Sequence, residues 1–146
     1  MNVLGLIYIF LLVILDQLTK KWAIDYLSNI GSIPVIENIF YLTYVENKGA
    51  AFGIFHGKVN FLIIVTGIIT GYIIYYMYSN KNLTNLTKLA LSLIVSGALG
   101  NLIDRIRLGF VVDFFDFRIW PVFNVADICV VIGSILISYI ILTNKE

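Results

Sequence analysis

Apolar runs of about 20 residues constrain this chain more than any other feature of its sequence. A helix of that length crosses the roughly 30 Å hydrocarbon core of a bilayer. Such runs lie at about 3–22, 59–78, 89–103 and 125–142. Because 60% of the 146 residues are hydrophobic and only 13% are charged, we expect a single polytopic membrane domain, mainly α-helical, with four transmembrane helices.

The charge and the rare residue types exclude several classes of protein. A formal net charge of +1 offers no dense basic face to a nucleic acid. Cys129 and His56 are the single cysteine and histidine, so we predict no disulfide, no metal site and no cofactor, with Cys129 buried. The segment 1–15 lacks a basic start and no small-residue cleavage site follows it, so we expect it to remain as a membrane anchor.

The segment 28–57 is too polar and too interrupted to span a membrane. Residues 40–46 are rich in aromatic and β-branched types and predict a strand. Residues 47–49 are turn formers, and residues 50–55 resemble a second short strand. The sequence therefore predicts a small sheet or hairpin outside the membrane.

Polar residues are concentrated near the end of the third apolar run. Gly97, Asn101 and Asp104 are spaced i, i+4 and i+7, which places them on one stripe of a helix. Gly97 and Gly100 permit close helix contact, whereas polar groups inside a bundle require hydrogen-bond partners. Arg105 can bridge to Asp104 or to a backbone carbonyl. Because an ionisable group costs about 2.5–3.5 kcal/mol or more at the bilayer centre, this stripe is a candidate functional site.

The remaining polar residues have both structural and functional interpretations. Asp16 and Lys20, four residues apart, either form a self-neutralising pair at the membrane edge or also frame the site. Asn124 and Asp127 either cap the fourth helix or contribute to function. Asp113 lies in the predicted loop between the third and fourth runs. Because all of them emerge at the same membrane face as the polar stripe, we favour the functional interpretation.

Two carboxyl groups within hydrogen-bond reach share one proton and titrate as a pair. In an aspartic-protease arrangement the ionised member takes a proton from water, while the protonated member donates one to the peptide group. The positive end of the fourth helix favours charge on Asp127, so we predict Asp127 as the more acidic member and Asp113 as the protonated one. Asp116 has no part in this scheme and is expected to be solvated.

The order and spacing of these residues resemble the signature blocks of the lipoprotein signal peptidase family, also called signal peptidase II. The resemblance covers nearly the whole chain. The matching blocks are DQLTK at 16–20, ENKGAAF at 46–52, Gly97, GNLIDR at 100–105, VDF at 112–114 and FNVAD at 123–127.

This resemblance implies four transmembrane helices and a small extracytoplasmic β-cradle at about 28–57 with 105–124. It implies an aspartic endopeptidase of the bacterial cytoplasmic membrane that cuts diacylglyceryl prolipoproteins before the lipidated cysteine, near the outer leaflet. Membrane lipid and globomycin-type inhibitors are the other implied partners. Asp113 and Asp127 correspond to the catalytic pair. The supporting or substrate-binding positions are Asp16, Lys20, Asn47, Gly49, Gly97, Asn101, Asp104, Arg105, Asn124 and Ala126.

Charge counting and the resemblance disagree about the orientation of the chain. The side predicted to carry the termini holds Lys81, Lys88 and Lys145. The opposite side holds Lys20, Lys21, Lys48, Lys58, Arg105, Arg107 and Arg118. The positive-inside rule would place the large loops in the cytoplasm. The resemblance places the termini there, and we follow the resemblance.

Two other functions are compatible with a small polytopic protein. A proton-coupled transporter or channel is the main alternative, but transporter sites usually lie near the membrane midplane, whereas these acids cluster at one edge. A serine–lysine peptidase would require Ser28 or Ser32 beside a basic residue. Cleavage of a lipidated precursor separates these functions from one another.

Overall fold

The structure is a computed structural model that describes residues 3–49 and 55–143. A long helix occupies each of the four predicted apolar runs: α1 (Val3–Trp22), α2 (Val59–Ser79), α3 (Asn85–Leu108) and α4 (Val125–Thr143). The third is longer than predicted at both ends, because the polar residues beyond 89–103 continue the helix instead of ending it.

Within the described residues, α2, α3 and α4 are long and apolar enough to cross a membrane. Helix α1 has 20 residues and carries two lysines in its last turn. The fourth crossing therefore stays a prediction. Large apolar side chains such as Ile64, Ile68 and Ile135 are exposed on these helices, as expected for surfaces that contact lipid.

Helix α3 lies at the centre of the bundle and packs against the other three helices. Val95 of α3 is buried with Ile9 of α1 and Met77 of α2. The helix begins where the hydroxyl of Thr84 accepts a 3.1 Å hydrogen bond from the amide of Thr87. It ends at Gly109, whose φ of 80° suits a residue without a side chain.

Beyond Trp22 the chain stays helical through a π-helical turn (Ala23–Leu27) and a single α-helical turn (Ser28–Ile30). Ala23 and Leu27 are buried against Val112 and Phe114. This small apolar core joins the end of α1 to the underside of a sheet.

The sheet has three antiparallel strands in the order β1 (Ser32–Ile36), β2 (Phe40–Asn47) and β3 (Val111–Asp116). Strand β2 agrees with the strand predicted at 40–46. Strands β1 and β3 lie within the segments that the resemblance assigned to a β-cradle, but neither was predicted as an individual strand. Pro34 is tolerated in β1 because β1 is an edge strand. The predicted strand at 50–55 lies outside the described residues except for Phe55, which begins a turn.

Strand β3 also corrects the predicted position of Asp113, which lies in a strand and not in a loop. Asp113 pairs with Val45 of β2. The sequence does not reveal this pairing, because helices α2 and α3 lie between Val45 and Asp113 in the chain. A strand holds a side chain more rigidly than a loop does, which matters for the site described next.

Candidate active site

Asn124 joins the two acids that the sequence singled out. Its side-chain Nδ2 donates a 2.6 Å hydrogen bond to Oδ1 of Asp113. Its Oδ1 accepts a 2.9 Å hydrogen bond from the amide of Asp127, and its own amide donates to Oδ2 of Asp127 at 3.2 Å. The predicted capping arrangement is therefore present, and the capping residue also contacts Asp113. The structural and functional interpretations of Asn124 are compatible.

Two further amides complete the contacts of the acids. Asn47 Nδ2 donates to Asp113 Oδ2 at 3.0 Å. Asn101 Nδ2 donates to Asp127 Oδ1 at 2.8 Å. Each oxygen of each carboxyl group thus accepts one hydrogen bond from a neutral donor, which orients both groups without neutralising them with a direct cation.

The environment of Asp113 moves its protonation into the neutral range. Burial of the carboxyl group and the neighbouring charge of Asp127 raise the pKa of Asp113 from 3.8 to about 7, against the lowering effect of the hydrogen bonds from Asn47 and Asn124. Near neutral pH, Asp113 can therefore either hold or release a proton.

A buried cation lies behind the acids. Lys20 is only 2% exposed, and its Nζ lies 3.0 Å from Asp16 Oδ2 and 3.0 Å from Asp104 Oδ2. It also donates to Asn101 Oδ1 at 2.9 Å. The predicted pair of Asp16 and Lys20 exists, but it is buried and shared with a third residue. It is therefore not an isolated ion pair at the membrane edge.

The two acids that hold Lys20 also bind the backbone next to Asp113 and Asp127. Asp16 Oδ1 accepts a 2.9 Å hydrogen bond from the amide of Ala126, which precedes Asp127. Asp104 Oδ2 accepts a 3.1 Å hydrogen bond from the amide of Val112, which precedes Asp113. Each supporting carboxylate therefore positions one of the two acids through its neighbour in the chain.

Two glycines of α3 allow this close approach. A Cβ on Gly97 would collide with the carbonyl oxygen of Ala126, and a Cβ on Gly100 would collide with the carboxylate of Asp16. The close contact predicted at Gly97 and Gly100 is therefore present. Gly97 lies against the backbone of Ala126, and Gly100 lies against the carboxylate of Asp16.

Arg105 and Asn47 hold the chain at Gly49. The guanidinium of Arg105 donates a 3.1 Å hydrogen bond to the carbonyl of Gly49, which is one of the two contacts predicted for this arginine. The amide of Gly49 donates to Asn47 Oδ1 at 2.9 Å. The segment after β2 is thereby tied to α3 and to Asp113, at the point where the described residues stop.

A cavity of about 670 Å³ opens onto the two acids. Its polar end is lined by Asn47, Asn101, Arg105, Asp113 and Asp127. The rest of its wall is formed by Thr66 and by the apolar residues Ala98, Val111, Trp120, Pro121, Val122, Phe123, Ile128, Val130, Val131 and Ile132. Because several of these apolar residues also belong to the exposed face of α4, the cavity joins the acids to the lipid-facing surface.

Gln17 belongs to the site, although it is not among the predicted site residues. Its Nε2 donates to Asp104 Oδ1 at 3.0 Å, to the carbonyl of Gly100 at 3.2 Å and to Asp16 Oδ2 at 3.2 Å. Its position next to Asp16, inside an apolar run, was the available signal.

Asp116 is buried, so the prediction of a solvated acid was wrong. Only 5% of the residue is exposed. Its carboxylate accepts 2.8 Å hydrogen bonds from the hydroxyl of Thr43 and from the amide of Arg118. The chain turns back after β3, with a φ of 65° at Arg118, and covers the side chain.

Among residues 3–49 and 55–143, no group of three or more potential ligands from His, Cys, Asp and Glu could hold a metal ion.

Comparisons with known proteins find relatives that match nearly the whole chain. A family model described as signal peptidase (SPase) II matches residues 8–143. The lipoprotein signal peptidase of Clostridium acetobutylicum is 48% identical over 139 residues, covering 92% of this chain and 90% of that protein. The one from Clostridioides difficile is 49% identical over 141 residues, with 95% of each covered. A solved bacterial membrane enzyme at 2.3 Å resolution has a TM-score of 0.88 and 38% identity, covering 97% of this chain and 89% of that one.

Proposed function

This chain belongs to the signal peptidase II family, and on that premise we propose that it removes signal peptides from prolipoproteins as an aspartic endopeptidase. Asp113 and Asp127 are the proposed catalytic pair. The substrates are diacylglyceryl-modified prolipoproteins, cut on the N-terminal side of the lipidated cysteine. The proton-coupled transporter or channel that the sequence left open finds no support in these similarities.

One observation carries the proposed chemistry: Asp113 and Asp127 line the same cavity and are linked through Asn124. The charge of Asp127 contributes to the raised pKa of Asp113, and two carboxyl groups that interact in this way favour a state with one proton between them. With its pKa near 7, Asp113 is the member that holds the proton. Asp127 lies in the first turn of α4, where the helix dipole favours a negative charge.

The reaction follows from these two protonation states. Asp127 takes a proton from a water molecule, whose oxygen attacks the carbonyl carbon of the scissile peptide bond. Asp113 donates its proton to the carbonyl oxygen as the tetrahedral intermediate forms. When the intermediate collapses, the C–N bond breaks, Asp127 passes its proton to the leaving amine, and Asp113 recovers its own. The products are a carboxylic acid and an amine, between which a proton passes in water to give a carboxylate and an ammonium group, and the pair returns to its starting state.

The apolar wall of the cavity fits a substrate that stays in the membrane. Ile128, Val131 and Ile132 of α4 line the cavity and are also exposed on the outside of the bundle. Acyl chains and an apolar signal helix can contact this wall from the bilayer while the peptide bond reaches the acids. We place the site near the outer leaflet of the bacterial cytoplasmic membrane, with both termini in the cytoplasm. Globomycin-type inhibitors are expected to occupy the same cavity.

Cleavage of a lipidated precursor peptide by the purified chain in detergent tests this proposal. Asp113→Asn and Asp127→Asn should each lower the rate by about 10²-fold to 10⁴-fold or more, because each removes one proton-transfer group. The matched control is Asp25→Asn, which changes an exposed acid paired with Lys21 at 2.9 Å and should leave the rate unchanged. If either variant of the pair cleaves as fast as the control, the pair is not catalytic.

A further inference from the structure

Two surface turns meet at one end of the sheet. One is the turn between β1 and β2, and the other is the loop that follows β3. The rings of Phe40 and Phe117 stack with centroids 4.7 Å apart, and the guanidinium of Arg118 lies 3.7 Å from the centre of the Tyr41 ring. These contacts place both turns side by side.

Large apolar side chains project from the end of β1 and from both turns, and we call them the apolar rim. The apolar rim consists of Val35, Ile36, Ile39, Phe117, Ile119 and Trp120. All six are exposed, led by Ile119 at 93% and Trp120 at 59%. A contiguous set of exposed apolar side chains on a folded protein usually marks a surface that binds something.

Few charges interrupt the apolar rim. Glu37 is exposed in the turn itself. Arg118 is paired with Asp116 at 3.5 Å, so this arginine and this acid offset each other. Aliphatic and aromatic side chains with a tryptophan and an arginine at their border are typical of segments that lie in the interface of a membrane.

The apolar rim reaches the exposed apolar surface of α4 through Trp120. Trp120 lines the same cavity as Ile128, Val131 and Ile132, which occupy the first two turns of α4. These three residues are exposed on a helix long enough to cross a membrane. The loop therefore folds back beside the part of α4 that contacts lipid. This position of Trp120 beside α4 favours lipid as the occupant of the rim.

The loop is held in place before any lipid binds. The amide of Arg118 donates to Asp116 Oδ1 at 2.8 Å, and its guanidinium donates to the hydroxyl of Ser32 at 3.2 Å. The hydroxyl of Thr43 donates to Asp116 Oδ2 at 2.8 Å. All three strands thus anchor the loop, which keeps the entropic cost of presenting its apolar side chains to a partner small.

We propose that the apolar rim inserts into the interfacial region of the bilayer, so that the sheet contacts the membrane at a second place besides the helices. The acyl chains and glycerol region of phospholipids are its ligand. The rim then covers the mouth of the cavity from the lipid side. This assignment does not depend on the proposed cleavage reaction, because it concerns a surface and not the acids.

Tryptophan fluorescence in nanodiscs that contain phospholipids brominated along the acyl chain tests the proposal. The chain has two tryptophans, so a background with Trp22→Phe and Trp120→Phe is dark. Ile119→Trp in this background places a reporter on the rim and outside the cavity. We expect a blue-shifted emission, strong loss of emission with lipids brominated near the glycerol end of the acyl chain, and weak quenching by iodide in solution.

A second reporter and a control keep the test decisive. Ile39→Trp reports from the other turn of the rim and should behave in the same way, even if Ile119→Trp does not fold. Glu46→Trp, at an exposed position of β2 outside the rim, should be quenched by iodide and not by brominated lipid. Iodide quenching without lipid quenching at both rim positions overturns the proposal. The proposal is also overturned if, in nanodiscs that hold two copies of the chain, the second copy covers the rim in place of lipid.

Discussion

Asp16 on α1 accepts a 2.9 Å hydrogen bond from the backbone amide of Ala126 at the start of α4, although 110 positions separate the two residues. The same carboxylate binds Lys20, which also binds Asp104. Asp16 and Asp104 bind the backbone, whereas Asp113 and Asp127 are the proposed catalytic pair. The two roles therefore belong to different acids.

Loss of the buried lysine should unfold the site. Lys20→Met leaves the carboxylates of Asp16 and Asp104 buried without a cation, which should lower the free energy of unfolding by about 3–5 kcal/mol. The control is Lys21→Met, because Lys21 forms an exposed pair with Asp25 that contributes about 1 kcal/mol or less. Unfolding of both variants in detergent measures the difference. Equal losses would show that Lys20 is not a structural centre of the site.

The cleavage rate should fall on the alkaline side of neutrality. Because burial and the charge of Asp127 raise the pKa of Asp113 to about 7, the proton that Asp113 donates is present below pH 7 and is lost above it. A profile of kcat/KM against pH should show this alkaline decline, with Asp25→Asn as a variant that retains it. A rate that rises steadily to pH 9 would contradict the assigned proton donor.

The same raised pKa predicts how stability changes with pH. Asp113 resists ionisation in the folded protein, whereas it ionises near pH 3.8 when exposed. The folded state is therefore favoured by this group at low pH, and that contribution is lost as the pH rises from about 4 to about 7. Asp113→Asn should gain stability over the parent chain in this window and keep the gain at higher pH.

Removal of the Asn124 side chain, which links Asp113 to Asp127, should shift the alkaline decline in cleavage rate to a different pH. The hydrogen bond from Asn124 lowers the pKa of Asp113, so Asn124→Ala should raise that pKa further and move the decline in rate to higher pH. The lost helix cap should also cost about 0.5–2 kcal/mol of stability. Asn60→Ala, at an exposed position of α2, should change neither. If the rate declines at the same pH in Asn124→Ala as in the parent chain, Asn124 contributes only to the structure.

A methyl group between α3 and α4 should disable the site at a distance from its acids. In Gly97→Ala the new Cβ would collide with the carbonyl oxygen of Ala126 and with Val130, displacing the first turn of α4 that carries Asp127. Overpacking of this kind typically costs about 1–3 kcal/mol. The cleavage rate should fall as well.

Gly67 and Gly71 of α2 provide matched controls for that substitution. A Cβ at either position meets nothing within 4 Å. Alanine there should be neutral, or should stabilise the helix by up to about 1 kcal/mol, with an unchanged rate. If Gly97→Ala behaves like these controls, the close approach of α3 and α4 is not required for activity.

Part of the site could be predicted from the spacing of residues within single helices. The i, i+4 and i+7 stripe of α3 and the three-residue interval between Asn124 and Asp127 both depend on one helix, so the regular geometry of a helix is enough to predict them. The local pair of Asp16 and Lys20 is of the same kind. Each of these features appears in the structure.

Other parts were not readable because they depend on contacts between distant segments. Asp116 is buried because the loop after β3 folds back onto β1 and β2, which no local pattern indicates. Strand β3 exists because β2 pairs with it across two intervening helices. Gln17 contributes through contacts with α3, more than 80 positions away.

The sequence by itself determined which segments are long, apolar helices and which polar residues interrupt them, because helix length and side-chain hydropathy are local properties that the bilayer selects directly. Only the tertiary structure decided that Lys20 serves two acids at once and that Asn124 reaches both Asp113 and Asp127. These relationships require side chains from three helices and a strand to meet. Their energies depend on burial and distance, which the order of residues in the chain does not specify.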